Sequence, residues 1–333
     1  MVNVLITGGA GFLGSRLAAR LLAAGTLEVA GSGTRPLSRV TLVDRVPVAS
    51  DIASDEQVTV ITGNLEEVLR RGSDGHDALR QAEVVFHLAA AVSAECEADF
   101  DLGMRANVHA TESLLQSCRE LGTNPVVVLA SSVAVFGDSQ EHPLPPVLDD
   151  QTLPNPQSSY GAQKVICEQL LADYTRRGFL RGRAVRLVTV SVRPGKPNAA
   201  ASGFLSAIIR EPLAGHRAAC PVDPQTEVAL ASPARAIDGL LCAATSAEIS
   251  WGGRSPVNLP ALSVRITDMV AALERVAGPQ VAALIDYIPD QAVARIVTSW
   301  PARIRADRAA SLGLTQDPDF DSVIRLHVAE SQS

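Results

Sequence analysis

The fold is decided near the start of the chain by the stretch Val4-Leu-Ile-Thr-Gly-Gly-Ala-Gly-Phe-Leu-Gly14. A short apolar run enters a turn in which glycine recurs every three residues, and an Ala- and Leu-rich segment follows. Glycines permit a tight turn and let backbone N–H groups approach a pyrophosphate, which the positive end of the next helix also attracts. The stretch therefore predicts a strand, a dinucleotide-binding turn and a helix. The predicted cofactor contacts in the turn are Gly8, Gly11, Phe12, Leu13 and Gly14.

An acidic residue, Asp44, closes the second predicted strand, which covers residues 39–43. A carboxylate at this position can accept hydrogen bonds from both hydroxyls of an adenosine ribose, and it repels a 2′-phosphate. We therefore expect NAD rather than NADP, although Arg45 follows directly and can tolerate a phosphate. The interval between the glycine turn and Asp44 is longer than usual, and we interpret residues 26–38 as an extra loop.

Short β-branched runs alternate with Ala- and Leu-rich segments through the first 192 residues, an order typical of a parallel sheet wrapped by helices. The predicted strands are residues 2–6, 39–43, 58–62, 84–87, 126–130 and 184–192, and the predicted helices are 13–24, 100–121 and 159–176. After about residue 193, prolines interrupt this regular alternation. In that part of the chain we expect helices over 234–245 and 266–276 and a short strand over 257–259. The predicted fold is α/β, with a doubly wound parallel-sheet Rossmann domain over 1–192 and a smaller C-terminal substrate-binding lobe over 193–333. Segments near 228–262 are expected to return to the first domain.

Composition and charge limit the classes of protein and partner. The 333 residues are 47% hydrophobic and 20% charged, which excludes a disordered or fibrous chain. A formal charge of −7 argues against nucleic acid or an anionic membrane as the main partner. No apolar run approaches the roughly 20 residues that cross a bilayer, and the N-terminus does not look like a signal peptide. Five scattered cysteines predict free thiols in a reducing cytoplasm and no metal site.

A phenol and an ammonium group lie four residues apart, at Tyr160 and Lys164, on one face of the predicted helix 159–176. A nearby positive charge favours the phenolate, which can act as a base. Ser132 follows the predicted strand 126–130, at the sheet edge where open α/β folds bind ligands, and its hydroxyl can bond to a substrate oxygen. Each feature alone is common, but all of them occur here in one order along the chain.

The sequence resembles the extended short-chain dehydrogenase/reductase family over nearly its whole length. The matching motifs are residues 7–14, Val85-Phe-His-Leu-Ala-Ala90, Asn107, Ser131-Ser-Val-Ala-Val-Phe-Gly137 and 160–164. The resemblance implies Ser132, Tyr160 and Lys164 as catalytic residues and a homodimer formed through helices such as 100–121 and 159–176. It also implies further cofactor contacts, which are Asn64, Leu65, Leu88, Ala89, Ala90, Asn107, Tyr160, Lys164 and Pro194.

Three further stretches, residues 92–101, 190–204 and 209–213, resemble a branch of that family that oxidises C2 of a four-carbon sugar acid, D-erythronate, with NAD. Nucleotide-sugar members usually carry Asn before the proline that follows the sixth strand, whereas this chain has Arg193. A guanidinium offers a planar fork of donors suited to a carboxylate. The expected substrate contacts are Ser93, Ser132, Tyr160, Arg193 and Asn198.

These features predict an NAD-dependent enzyme that oxidises the C2 hydroxyl of a small sugar acid, with Tyr160 as general base. Two alternatives remain open. A nucleotide-sugar epimerase or dehydratase would share the fold and the three catalytic residues. A non-catalytic dinucleotide-sensing regulator would share the fold, but such proteins typically lose the Tyr or the Lys.

Overall fold

The computed structural model describes residues 1–195 and 201–331. Asn198, one of the predicted substrate contacts, lies outside these ranges. The strands are β1 (Val2–Thr7), β2 (Thr26–Glu28), β3 (Thr34–Asp44), β4 (Val58–Thr62), β5 (Val84–His87), β6 (Val126–Ser132), β7 (Arg181–Leu187), β8 (Thr189–Val190), β9 (Ala218–Cys220), β10 (Glu227–Ala231), β11 (Val257–Asn258), β12 (Leu262–Arg265) and β13 (Ile285–Tyr287).

The α-helices are α1 (Phe12–Ala24), α2 (Ser50–Ala53), α3 (Leu65–Val68), α4 (Asp74–Gln81), α5 (Ser93–Ala98), α6 (Phe100–Gly103), α7 (Ala110–Leu121), α8 (Ser159–Arg176), α9 (Phe204–Leu213), α10 (Pro233–Thr245), α11 (Glu248–Trp251), α12 (Ile266–Ala277), α13 (Pro279–Ala282), α14 (Gln291–Thr298), α15 (Asp307–Ser311) and α16 (Phe320–Ser331). A π-helical segment, Met104–His109, joins α6 to α7, and a 3₁₀ turn, Val133–Val135, follows β6. None of the helices in the described ranges combines the length and apolar composition that a bilayer crossing requires.

The main sheet contains parallel strands in the order β4-β3-β1-β5-β6-β7-β11, and β2 is added antiparallel to β3. Side chains of a strand alternate between the two faces. On β1, Val4 and Ile6 therefore enter one apolar core and Leu5 enters the other. The first core includes Leu17 of α1, and the second includes Leu114 of α7. Helices cover both faces, so the predicted doubly wound parallel sheet is confirmed.

A third apolar core lies in the C-terminal part of the chain, where α9, α12 and α16 contribute Ile208, Leu273 and Ile324. Two small sheets belong to the same part. In one, β10 pairs parallel with β8 and antiparallel with β12, and in the other β9 and β13 are parallel. In contrast, α10 and β11 pack against the main sheet at β7, although they come from the same half of the chain.

The interpretation of residues 26–38 as a loop is wrong. Strand β2 and the first residues of β3 form an antiparallel hairpin in which Thr26 pairs with Pro36. The turn between them uses the positive φ angles of Gly31 (76°) and Gly33 (88°). Leu27 on the hairpin is buried in the first core. Burial of apolar side chains therefore extends β3 toward its N-terminus and accounts for the long interval before Asp44.

The predicted strand 184–192 is in fact two strands in two different sheets. Strand β7 ends at Leu187 in the main sheet, and β8 pairs instead with β10, where Val190 lies opposite Ala231. The chain therefore leaves the main sheet at Val188, next to the carboxyl end of β6. This change of sheet brings the segment that follows it over the edge where the predicted site residues lie.

Candidate active site

Two glycines of the turn after β1, Gly8 and Gly14, are packed too closely to be replaced by residues with side chains. Gly8 has a φ of 73°, and a Cβ there would lie 2.7 Å from the backbone nitrogen of Ala89. A Cβ on Gly14 would lie 2.1 Å from the carbonyl oxygen of Gly8. Helix α1 starts at Phe12, with Gly11 as its N-cap residue and no side chain capping it. Its first N–H groups are therefore oriented toward an anion at the turn, which fits a dinucleotide pyrophosphate.

Asp44 lies at the carboxyl end of β3, directly beside this turn. One carboxylate oxygen accepts a hydrogen bond of 2.9 Å from the backbone N–H of Ala10. The other accepts bonds from the backbone N–H groups of Arg45 and Val46, at 2.7 and 3.3 Å. The side chain of Arg45 is exposed. These backbone bonds hold the Asp44 carboxylate at the mouth of the glycine turn, where a ribose next to the pyrophosphate would lie.

Other predicted cofactor contacts follow β4 and β5 at the same edge of the sheet. They are Asn64 and Ala90, which are exposed, Leu88 and Ala89, which are half-buried, and Leu65, which is buried. The backbone N–H groups of Leu88 and Ala89 donate to the carbonyl and hydroxyl oxygens of Thr7, at 3.1 and 3.3 Å. Because the strands are parallel, their carboxyl ends and the loops that follow them share one edge.

Asn107 is buried in the π-helical segment, and its side chain contacts protein groups. Its carboxamide oxygen accepts a bond of 2.8 Å from the N–H of Ala91, and its amide donates to the Oε1 atom of Gln163 at 2.7 Å. These bonds join the loop after β5 to helix α8. Asn107 therefore positions both the predicted cofactor loop and the helix that carries Tyr160 and Lys164.

His87 belongs to a buried chain of hydrogen bonds at the end of β5. Its Nδ1 atom lies 2.6 Å from the Thr7 hydroxyl and its Nε2 atom lies 2.9 Å from the Thr111 hydroxyl. Thr111 donates its own proton to the carbonyl oxygen of Asn107 at 2.6 Å, so Nε2 donates to Thr111 and Nδ1 accepts from Thr7. Burial and, to a smaller extent, the charge of Lys164 lower the pKa of His87 to about 3. His87 is therefore a neutral, packed histidine.

Tyr160 and Lys164 lie one turn apart on α8, at the carboxyl end of β6. The ammonium nitrogen of Lys164 is 5.6 Å from the centroid of the Tyr160 ring. The Ser132 hydroxyl oxygen accepts a bond of 3.1 Å from the N–H of Ala134, which is in the 3₁₀ turn. This bond leaves the Ser132 proton available for donation to another oxygen. The three predicted catalytic residues thus come from two elements that pack against each other.

Ser131 and Ser132 have different surroundings, although they are adjacent. Ser131 is buried and donates to the Glu168 carboxylate at 2.5 Å. Arg186, on β7, donates two further bonds to that carboxylate, at 2.9 and 2.8 Å. Glu168 follows Lys164 by one turn of α8. The buried group of Ser131, Glu168 and Arg186 therefore fixes α8 against β6 and β7 behind the reactive side chains.

A cavity of about 100 Å³ opens beside Tyr160. It brings together four residues that the sequence predicts for substrate binding, namely Ser93, Ser132, Tyr160 and Arg193. The other described residues that line it are Val92, Val133, Ala134, Val188, Thr189, Ser202 and Trp300. Pro194, a predicted cofactor contact, is exposed and is not among the lining residues.

Arg193 reaches the cavity from the segment after β8. Its Nε donates to the carbonyl oxygen of Val190 at 3.1 Å, and its backbone N–H donates to the Ser206 hydroxyl at 3.0 Å. Among residues 1–195 and 201–331, no carboxylate forms an ion pair with Arg193. Burial lowers the pKa of the Arg193 guanidinium, and the charge of Tyr160 opposes this shift. A half-buried guanidinium in a cavity is suited to an anionic ligand, which would offset its loss of solvation.

Sequence reasoning missed three polar or aromatic residues of the cavity, namely Thr189, Ser202 and Trp300. Thr189 lies within the apolar run 184–192, which is predicted as a single strand. Ser202 follows a proline-rich segment with no periodic pattern, and Trp300 comes from the C-terminal third of the chain. Only the fold brings them to the edge of the main sheet.

The residue types that bind metals are scattered in the described part of the chain. Within residues 1–195 and 201–331, no three His, Cys, Asp or Glu side chains are grouped so that they could hold a metal ion. All five cysteines are free thiols, and burial raises the pKa of Cys96, Cys118, Cys167 and Cys220. Polar contacts around the cavity come instead from hydroxyl groups and one guanidinium.

Comparison with known proteins agrees with this arrangement. Residues 4–230 match the NAD dependent epimerase/dehydratase family. The chain is 51% identical to the D-erythronate dehydrogenase of Cupriavidus necator over 99% of both chains. It is 38% identical to the D-erythronate dehydrogenase of Haemophilus influenzae over 97% of this chain and 98% of that protein.

A solved structure, described as the nucleoside-diphosphate-sugar epimerase from Agrobacterium tumefaciens, is 38% identical and covers 99% of this chain and 94% of its own. Its TM-score of 0.90 shows the same fold over the full length. The matched region of the family includes the glycine turn, Ser132, Tyr160 and Lys164. The relationship predicted from the motifs is thus confirmed, and this chain belongs to the NAD-dependent epimerase/dehydratase family of extended short-chain dehydrogenases/reductases.

Proposed function

We propose that the protein is an NAD-dependent dehydrogenase that oxidises the C2 hydroxyl of D-erythronate to give 2-dehydro-D-erythronate. Two full-length relatives bear the name of that dehydrogenase. The observation that carries the proposal is the small cavity in which Ser132, Tyr160 and Arg193 converge. Its hydroxyl groups suit a polyhydroxy chain, and its guanidinium suits a carboxylate.

The cofactor site is proposed at the shared carboxyl edge of the main sheet. Gly8, Gly11, Phe12, Leu13 and Gly14 would hold the pyrophosphate, because the turn offers backbone donors and its glycines let the ligand approach the backbone. Asp44 would accept the adenosine ribose hydroxyls. The remaining proposed contacts to NAD are Asn64, Leu65, Leu88, Ala89, Ala90, Asn107, Tyr160, Lys164 and Pro194. NAD, when bound, supplies the acceptor for the hydride that leaves C2.

The proposed proton transfer uses residues of α8 and β6. Tyr160, as phenolate, takes the proton of the C2 hydroxyl while the C2–H bond breaks. Lys164 stabilises the phenolate by its charge and would hold the nicotinamide ribose. Ser132 donates its free proton to the reacting oxygen and so fixes that oxygen next to Tyr160.

Orientation of the acid is proposed to depend on Arg193 and on the hydroxyl groups around it. A carboxylate on the Arg193 fork would place C2 at a fixed distance from the guanidinium, which selects 2-hydroxy acids over neutral sugars. Ser93 and Asn198 are the other proposed substrate contacts from the sequence. Thr189 and Ser202, which line the same cavity, would meet hydroxyls farther along the chain.

Nucleotide-sugar epimerisation is the second candidate, because one solved relative carries that description. Such a substrate needs room for a diphosphate and a base. The cavity at Tyr160, of about 100 Å³, cannot hold those groups by itself, so they would have to lie outside it. A third candidate, a dinucleotide sensor without catalysis, is disfavoured because both Tyr160 and Lys164 are present and lie together.

A substrate panel tests the proposal. The purified protein is mixed with D-erythronate, L-threonate, longer aldonates or a UDP-sugar, each with NAD and with NADP, and NADH or NADPH formation is followed by absorbance. We expect NADH release with D-erythronate. No NADH from any acid, together with conversion of the UDP-sugar without net cofactor reduction, would establish the epimerase instead. No turnover of any substrate would favour the sensor.

The lobes, location and assembly are also proposals. We propose a dinucleotide-binding domain over 1–192 and a substrate lobe over 193–333, with 228–262 returning to the first, in keeping with the separate third core and with the packing of α10 and β11 on the main sheet. Five free thiols suit the cytoplasm.

Phe100 and Ile166 are 61% and 41% exposed on the helices expected to form a homodimer. Light scattering should give twice the chain mass, and a Phe100→Glu, Ile166→Glu variant should give one chain mass.

A further inference from the structure

The cavity at Tyr160 has a larger neighbour. This second cavity, of about 360 Å³, is lined by α14, by the N-terminal end of α8 and by parts of α5 and the 3₁₀ turn. Its polar lining consists of Ser93, Glu97, Gln157, Ser158, Arg295 and Ser299. Among the described residues, three line both cavities, namely Ser93, Ala134 and Trp300. Trp300 has by far the largest side chain of the three.

Trp300 is held by the elements on either side of it. Its backbone N–H donates to the carbonyl oxygen of Val297, a buried residue of α14, at 3.3 Å. The carbonyl oxygen of Ser299 accepts a bond of 3.1 Å from the N–H of Asp138, in the loop that follows β6. The indole itself is half-buried against the third apolar core. Trp300 is therefore attached both to the C-terminal core and, through Ser299, to the loop that follows the strand carrying Ser132.

We propose that Trp300 determines the length of sugar acid that the enzyme accepts. The inference rests on the proposed function, since it concerns the same cavity and the same acid. With the carboxylate on Arg193 and the C2 hydroxyl at Tyr160, the rest of the acid would lie in the cavity of about 100 Å³ that Trp300 lines. A four-carbon acid has two carbons beyond C2. A six-carbon acid has four and would extend past Trp300 toward the larger cavity.

The larger cavity has the chemistry to receive a longer polyhydroxy chain. Four of its lining residues carry a hydroxyl or an amide, and Glu97 and Arg295 add one charge of each sign. Such groups hydrogen-bond to hydroxyls without requiring a second anion on the ligand. Removal of the indole would therefore join two spaces that are both polar, and the substrate class of the joined site would be five- and six-carbon aldonates.

The test compares ratios of kcat/KM for D-gluconate and D-ribonate over D-erythronate in wild type, Trp300→Ala and Trp300→Phe. We expect the ratio to rise at least about tenfold in Trp300→Ala, because a fit that differs by one methylene in a hydrophobic pocket already changes discrimination by roughly 10- to 200-fold. Trp300→Phe keeps an aromatic ring at this position and should give an intermediate ratio. This variant provides the test if the alanine variant does not fold. The KM for NAD should stay unchanged in both variants.

Ile296→Ala is the matched control, because Ile296 lines only the larger cavity. Its ratio should equal that of the wild type. A folded Trp300→Ala or Trp300→Phe variant with an unchanged ratio would overturn the inference, and so would a rise of the same size in Ile296→Ala, which would make the larger cavity only an entry path. A wild-type enzyme that oxidises no acid at all would reject the proposed function, which is a different result from an active wild type with unchanged variants.

Discussion

The ammonium group of Lys164 donates a hydrogen bond of 2.9 Å to the carbonyl oxygen of Ala130. Lys164 is 4% exposed, so this bond is made almost out of contact with solvent. It fixes helix α8 to β6 only two residues before Ser132. The relative position of the phenol, the ammonium and the serine hydroxyl is thus set by backbone as well as by side chains, which is the preorganisation that proton transfer requires.

Replacement of Tyr160 by Phe should abolish turnover and leave NAD binding intact. The phenol oxygen is the proposed base, whereas the ring still packs beside Lys164. Loss of a positioned base typically lowers the rate by about 10² to 10⁴. The measurements are kcat with D-erythronate and the Kd for NAD by titration calorimetry. A variant that loses NAD binding together with turnover would contradict the assignment of the Tyr160 hydroxyl as the base.

Asp44 should control the choice between NAD and NADP. The Asp44→Asn variant keeps an oxygen for the N–H of Ala10 but removes the charge that repels a 2′-phosphate. We expect the ratio of kcat/KM for NAD over NADP to fall at least about tenfold, equivalent to ~1.4 kcal/mol.

Arg45 supplies the control for this variant, because it is exposed directly beside Asp44. The single Arg45→Ala variant should keep its NAD activity, and the double variant should lose the NADP activity gained by Asp44→Asn. An unchanged cofactor ratio in Asp44→Asn would mean that another group excludes the phosphate.

Arg193 should bind the carboxylate of the acid through its planar fork. Arg193→Lys keeps a positive charge but loses the paired donors, and Arg193→Met removes both. Hydrogen bonds to charged groups contribute about 1.5–3 kcal/mol, so we expect KM for D-erythronate to rise by roughly 10- to 150-fold in the lysine variant and more in the methionine variant. Initial rates at varied acid and varied NAD check this. A rise of the same size in the KM for NAD would show that Arg193 binds the cofactor rather than the acid.

Much of the nucleotide-binding half was predictable, because its strands are continuous apolar runs and its helices have clear limits. Strands β4 and β5 and helix α8 have the predicted bounds. The hairpin of β2 and β3 was not predictable from local pattern, since Pro36 and two nearby glycines suggest a loop, and only the burial of Leu27 in the core makes it a strand.

The site residues that could not be predicted depend on contacts between distant segments. Glu168 reads as an ordinary acidic residue of an amphipathic helix, yet Arg186 and Ser131 bury it completely behind the reactive groups. Trp300 is not part of a recognisable motif. The local sequence does not mark either residue as functional, because the role of each depends on the strand or helix that the fold places opposite it.

His87 should make the protein lose stability in acid, and His87→Gln should reduce that loss. The pKa of His87 is about 3 in the folded protein, below its ordinary value of 6.5, because burial disfavours the charged ring. Between pH 6.5 and 3 the unfolded chain therefore binds a proton that the folded chain does not, and this group lowers the free energy of unfolding by up to about 1.4 kcal/mol per pH unit as the pH falls.

Glutamine can accept from Thr7 and donate to Thr111 without titrating, so the fall in Tm from pH 7 to pH 4 should be smaller in His87→Gln. The same substitution at the exposed His109 should leave the wild-type slope, and parallel curves for all three proteins would mean that other groups control acid unfolding.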